Sequence, residues 1–136
     1  MGVLGFSQGA KAAAGLLLDQ QFRESKHGVD GKGLGFGVLL NGTCPPLTAD
    51  LTDTQKMERI KISSLHVVGR DDPWREDGLE LFTTHFEKER SVLMEFAVGH
   101  RLPVLEKDTV KITNEILKMY RESEGASQMD LSAVVE

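Results

Sequence analysis

The run Gly5-Phe6-Ser7-Gln8-Gly9 constrains this chain more than any other feature. It reads as a G-x-S-x-G nucleophile elbow: strand, sharp turn, serine, helix. The turn holds the serine at a strained backbone angle. The glycines two residues to either side are expected to pack against each other, where a side chain would clash. By composition alone such a pattern arises in roughly a few per cent of chains of this size, so the flanks decide its meaning. Residues 1–4 precede it as an apolar strand. Lys11 to Phe22 follows as a helix, whose first N–H groups and positive dipole end face the serine. Elbows of this kind usually stand midway along their domain. Here only the elbow's own strand comes before it.

Beyond the elbow, strand-like and helix-like runs alternate. Residues 2–6 are predicted as a strand, 8–24 as a helix and 25–33 as a loop with Gly28, Gly31 and Gly33. A strand over 34–40 ends at Asn41-Gly42, and 43–60 is a polar, partly helical segment with Pro45-Pro46. Residues 62–68 are a strand that runs into the Gly69-Arg70-Asp71-Asp72-Pro73 turn. A helix over 75–89 carries Leu79, Phe82 and Phe86 at spacings of three and four. Residues 92–98 are a further strand and 99–103 a turn. The helix over 104–121 is expected to cover the sheet with Val104, Leu105, Val110, Ile112, Ile116, Leu117 and Tyr120. Residues 1–121 are thus one domain, and the polar residues 122–136 are expected to be a disordered tail. Alternation with near-continuous apolar strands implies an α/β fold: a mostly parallel sheet of about four strands with flanking helices. Ligands bind such sheets at the carboxyl ends of the strands. That rule places Ser7, Asn41 to Pro45, Asp71, Asp72 and His100 on one edge.

A serine hydroxyl needs a base, and the base needs a carboxylate to orient it. In this fold the chain order is serine, acid, histidine. Ser7, an aspartate after the 62–68 strand, and His100 supply that order. Asp72 is preferred to Asp71, because the turn must bring the carboxylate back toward the histidine; turn formation and helix capping suit both. His66 lies within a strand and reads as a core residue. His85 reads as solvated on its helix, and His27 lies in a loop. The Gln8 backbone N–H is the expected oxyanion donor. Asn41, Cys44 and Trp74 are expected at the substrate. Cys44 could be argued as a nucleophile, but the elbow geometry belongs to Ser7. A metal site is not expected: the acidic residues 71–77 lack the spacing of a calcium loop, and no two histidines stand at helical ligand spacing. No cofactor is expected either.

Composition removes other classes. A chain of 136 residues with net charge −5 and no basic stripe is one domain and a poor partner for nucleic acid. One cysteine, Cys44, excludes an intrachain disulfide and suits a reducing, cytoplasmic setting. No apolar stretch approaches membrane-spanning length.

Three separated motifs, Gly-Phe-Ser-Gln-Gly-Ala (5–10), His-Val-Val-Gly-Arg-Asp-Asp (66–72) and Val-Gly-His-Arg-Leu-Pro (98–103), occur in order. Through them the chain resembles the eukaryotic small serine hydrolase family over roughly residues 2 to 120. That family includes ovarian-cancer-associated serine hydrolases and the thioesterase-like enzymes of fungal polyketide clusters. The resemblance implies an α/β-hydrolase fold with nucleophile, acid and base at Ser7, Asp72 and His100. It implies cleavage of a small-molecule ester or acyl-thioester, with a polyketide acyl chain as a substrate and a polyketide synthase as a partner. Members of the family carry a His-Gly-type loop and further strands before the elbow. On that comparison the chain reads as the C-terminal part of such a hydrolase, left with Gln8 as its oxyanion donor, an exposed apolar edge and low activity. The alternative is a non-catalytic remnant.

Overall fold

Each predicted strand pairs with the next. The computed structural model describes the backbone of residues 1–27 and 33–135, and the side chains of 1–23 and 33–124. The elements are β1 (Gly2–Phe6), α1 (Gln8–His27), β2 (Phe36–Leu40), α2 (Asp53–Lys56), β3 (Ser63–Gly69), α3 (Arg75–His85), β4 (Ser91–Phe96) and α4 (Glu106–Val135). The four strands form one parallel sheet in the order β1-β2-β3-β4. Parallel strands send all their carboxyl ends to one edge, so residues that follow them collect there.

Side chains alternate across the sheet. On one face α1 lays down Ala10, Ala13, Ala14, Leu17 and Leu18 at helical spacing, joined by Leu39, Ile60, Leu81 of α3 and Phe86. On the other face Phe36, Val38, Leu40, Leu65, Val67 and Phe96 meet Met119 of α4, with Ile112 and Ile116 packed against them. Both faces of β2 and β3 are therefore covered, as suits interior strands of a parallel sheet. β1 is different: Leu4, on the α4 side, stays 59 % exposed.

Several expectations change in detail. α4 meets the sheet through Ile112, Ile116 and Met119, while Val104, Leu105, Val110, Leu117 and Tyr120 are exposed. One arc of a helix can face one sheet, and positions 110 and 117 lie on the far side of the 112–116–119 arc. Rather than stopping at 121, α4 runs on to Val135, through residues that contain no proline to break it. α3 ends at His85, and Phe86 turns extended to bridge Ile60. α1 reaches His27; residues 28–32 of the expected loop lie outside the described residues. In the 43–60 segment a single turn, α2, is closed by a capping box between Thr52 and Gln55.

His85, expected in solvent, is buried, and burial holds its pKa below the ordinary histidine value. His66 is buried too, as expected of a strand residue, with its ring edge-on to Phe82 and Phe86. Its tautomer follows from its neighbours. Ser91 Oγ donates to the Glu87 carbonyl at 2.7 Å, and Ser64 Oγ donates to Ser91 Oγ at 3.0 Å. Ser64 has then spent its only proton, so the 3.0 Å contact with His66 must be Nε2–H donating to Ser64 Oγ. Burial pushes the His66 pKa down from 6.5 to about 3.

The sign of the linkage follows. Folded His66 stays neutral while the unfolded chain takes up a proton below the ordinary histidine pKa. Stability is therefore full above about pH 6.5 and falls as pH drops toward 3, by about 1.4 kcal/mol per pH unit at most. Urea unfolding at about pH 7.5 and about pH 4.5 should show this loss. His66→Gln, which keeps a donor but cannot titrate there, should flatten it, leaving the smaller contribution of His85. An unchanged slope in His66→Gln would contradict the assignment.

Candidate active site

The elbow is built by a close backbone approach. β1 ends at Phe6, Ser7 takes φ 57°, and α1 starts at Gln8. A side chain on Gly5 would drive into the backbone of Gly9 and Ala10, so residue 5 can only be glycine. Gly9 behaves otherwise: a Cβ there meets nothing within 4 Å. The expected mutual packing is therefore one-sided, with the Gly9 backbone filling the space that Gly5 leaves. Ser7 N–H donates to the Leu40 carbonyl at 2.8 Å, which anchors the turn to the end of β2. Gln8 is the first residue of α1, where the helix has no carbonyl to offer its amide.

His100 comes from the loop after β4, and Asp72 from the turn after β3. Ser7 Oγ lies 2.8 Å from His100 Nε2, and His100 Nδ1 lies 2.8 Å from Asp72 Oδ2. A carboxylate only accepts, so Nδ1 carries the proton and Nε2 presents a lone pair to the Ser7 hydroxyl. The Asp72 side chain is 1 % exposed. Its other oxygen, Oδ1, accepts from Trp74 N–H at 2.8 Å. A buried carboxylate with two donors is aimed, and its burial is compensated by those bonds. Asp71 points its side chain outward; only its amide takes part, donating to the Val98 carbonyl at 3.1 Å. The Phe6 ring sits against His100, with centroids 5.1 Å apart. Sequence reasoning did not single out Phe6, although it lies inside the elbow motif.

Of the residues expected at the substrate, the structure places three in three different settings. Asn41 is 1 % exposed, and both ends of its amide bond backbone: Oδ1 accepts from Gly69 N–H and Nδ2 donates to the Arg101 carbonyl, each at 2.9 Å. The buried amide is a structural tie between the end of β3 and the loop after β4. Cys44 is half-buried and donates to Glu80 Oε2 at 3.1 Å. Burial, and then the Glu80 carboxylate, push its thiol up to about 12. It is a neutral thiol at physiological pH and no rival to Ser7 as nucleophile. Its sulfur and the Asp77 and Glu80 oxygens lie within 4.8 Å of one another, a grouping the spacing argument against metals had not considered. Trp74 is 56 % exposed, so it is no core residue; it stands at the start of α3 beside Asp72. The cleft between β4 and α4, lined by Met94, Phe96, Lys111 and Lys118, includes none of these residues.

The asymmetry of the elbow can be tested directly. Gly9→Ala should stabilise the chain by up to about 1 kcal/mol, because alanine favours helix and finds open space. Gly5→Ala should cost roughly 1–3 kcal/mol or prevent folding. Urea midpoints measure both, and equal losses at the two positions would show that both glycines are packed.

Relatives fit this arrangement. The chain is 34 % identical over 123 residues to esterase FUS5 of Gibberella fujikuroi, covering 90 % of this chain and 48 % of that protein. It is 38 % identical over 121 residues to the probable esterase azaC of Aspergillus niger, covering 86 % and 46 %. It is 27 % identical over 133 residues to thioesterase FSL2 of Gibberella zeae, covering 88 % and 50 %. The chain thus spans about half the length of the curated relatives it matches. No solved structure matches it. Among the described residues, no helix is long and apolar enough to cross a membrane. The pattern of the family described as serine hydrolase (FSH1) matches residues 1–112, the stretch that carries the elbow, the acid turn and the histidine loop, and the chain belongs to that family.

Proposed function

We propose that Ser7, His100 and Asp72 form a catalytic triad that cleaves a carboxylic ester or thioester by acyl transfer. One observation carries this reading: two 2.8 Å contacts in series, serine to histidine and histidine to a buried aspartate. His100 Nε2 takes the hydroxyl proton as Ser7 Oγ attacks the carbonyl carbon. Asp72 holds the ring through Nδ1–H and stabilises the imidazolium that forms. The Gln8 amide points a donor at the developing oxyanion. His100 then passes the proton to the departing alkoxide or thiolate. Water, deprotonated by the same nitrogen, releases the acid and restores Ser7. Every step uses this chain's own groups and water.

The substrate class follows from the surroundings. Phe6 is 42 % exposed while it touches the His100 ring, and Leu102 and Trp74 are exposed nearby in sequence to His100 and Asp72. These surfaces suit an apolar acyl chain better than a sugar or a phosphate. The resemblance to polyketide-cluster thioesterases supports a polyketide acyl group, with a polyketide synthase as the donor. A cytoplasmic setting is supported by the single cysteine, and the net charge of −5 argues against nucleic acid as a partner.

A fluorophosphonate probe should label Ser7 in the wild-type chain and leave Ser7→Ala unlabelled. Against a short-chain p-nitrophenyl ester, Asp72→Asn should lower turnover by roughly 10⁴-fold, and Asp71→Asn should change it little. Labelling that persists in Ser7→Ala, or a larger loss in Asp71→Asn, would overturn the assignment. A folded chain with neither labelling nor turnover would favour a non-catalytic role.

A further inference from the structure

We infer that Asn41 is a positioning residue that holds the His100 loop in place over the end of β2. The inference rests on the acyl-transfer reading of Ser7, His100 and Asp72. It begins with a distance that the topology imposes. β4 is three strands away from β1, so His100 must cross two strand ends to reach Ser7. Neighbouring strands stand about 4.8 Å apart, which makes the span on the order of 14 Å. A loop carrying a base that far needs a fixed point along the way.

The loop is tied at its start. Arg70 N–H donates to the Phe96 carbonyl at 2.8 Å, and Asp71 N–H to the Val98 carbonyl at 3.1 Å. Gly69 lets it pass closely, because a Cβ there would collide with the Val98 and Gly99 carbonyls. Those ties all belong to β3 and its turn. Further along, the backbone of Arg101, the residue next to His100, is caught by Asn41 Nδ2 at 2.9 Å.

Asn41 is a firm anchor. It sits directly after β2 with φ 45°, a conformation that asparagine tolerates better than most residues. Its own N–H donates to the Val67 carbonyl at 2.7 Å, and its Oδ1 accepts from Gly69 N–H at 2.9 Å. The neighbouring Leu40 carbonyl takes the Ser7 amide at 2.8 Å. Residues 40 and 41 therefore bond the nucleophile's backbone, the strand end leading to the acid, and the backbone beside the base.

The chemistry selects an amide. Gly69 N–H can only donate, so its partner must accept. The Arg101 carbonyl can only accept, so its partner must donate. Aspartate would offer two acceptors and oppose the Arg101 carbonyl. Serine is too short to span both loops. Leucine matches the volume and serves neither.

The test compares Asn41→Asp and Asn41→Gly with the wild-type 136-residue chain. Both variants tolerate a positive φ. Asn41→Asp keeps the acceptor for Gly69 and breaks only the tie to Arg101, while Asn41→Gly breaks both. In p-nitrophenyl acetate hydrolysis, kcat should fall by roughly 10²-fold, the penalty of a slightly misplaced group, with KM little changed. The downfield NMR signal of the His100 Nδ1 proton should broaden or vanish in both variants and persist in Ser7→Ala. A loss confined to KM, or variants that keep both kcat and the signal, would overturn the inference. Should neither variant fold, the wild-type chain still decides. Its Asn41 side-chain amide protons should exchange slowly with solvent, and rapid exchange in the folded protein would overturn the tie. Should the wild type fail to react with fluorophosphonate or ester, the acyl-transfer reading fails, while the Nδ1 signal still reports whether Asn41 holds His100.

Discussion

Four parallel strands end on one edge, and at that edge backbone groups run out of ladder partners. Each buried N–H or C=O there must find another partner or lose a hydrogen bond. β2 lies between β1 and β3, so its end has unpaired neighbours on both sides. The Leu40 carbonyl accepts from Ser7, and Asn41 N–H donates to Val67. The Asn41 amide then satisfies Gly69 and Arg101. The same bonds that close the sheet's end fix the three loops from which Ser7, Asp72 and His100 emerge.

Register makes the arrangement possible. Phe6 pairs with Leu40, so Ser7 and Asn41 are the next residues at the same level of adjacent strands. Both take a positive φ, 57° and 45°. The two chains thus leave the sheet side by side, each through a strained residue. Such strain persists only where the surroundings over-determine it. At Ser7 the surroundings are the Gly5–Gly9 approach and the Leu40 carbonyl; at Asn41 they are three hydrogen bonds, two to Val67 and Gly69 of β3 and one to Arg101 in the loop after β4.

Much of this was legible in the sequence. The glycine–serine spacing located the elbow, and strand–helix alternation gave a parallel sheet with the candidate residues on one edge. The Gly-Arg-Asp-Asp-Pro turn offered two aspartates with Asp72 preferred; their side chains separate in three dimensions, Asp72 buried against His100 and Asp71 in solvent. Asn41 was placed on the edge, where its amide bonds the backbone of Gly69 and Arg101. Asn-Gly after a strand signals a turn, and nothing in the sequence says which loops, 28 and 60 residues on, will pass within reach of its amide. The helix-facing arc of α4 was misjudged for a related reason. Apolar residues lie on more than one side of that helix, and only the sheet's position selects Ile112, Ile116 and Met119. Periodicity shows that a face exists, but tertiary contact chooses among competing faces.

The histidines show how far residue type underdetermines chemistry. His66 lies within a strand, and His100 comes shortly after one. His66 lies inside β3, where Phe82, Phe86 and a serine relay enclose it. Its Nε2–H is spent on Ser64, and burial keeps the ring neutral far below neutral pH. A ring so enclosed stabilises packing and cannot exchange protons with a substrate. His100 lies beyond the strand end, with its side chain 29 % exposed, one nitrogen on a buried carboxylate and the other on a hydroxyl. That ring can take a proton on one side while the charge is met on the other. What separates the two roles is position relative to the sheet's edge: within the ladder a histidine is enclosed, and past its end it is free to face Ser7.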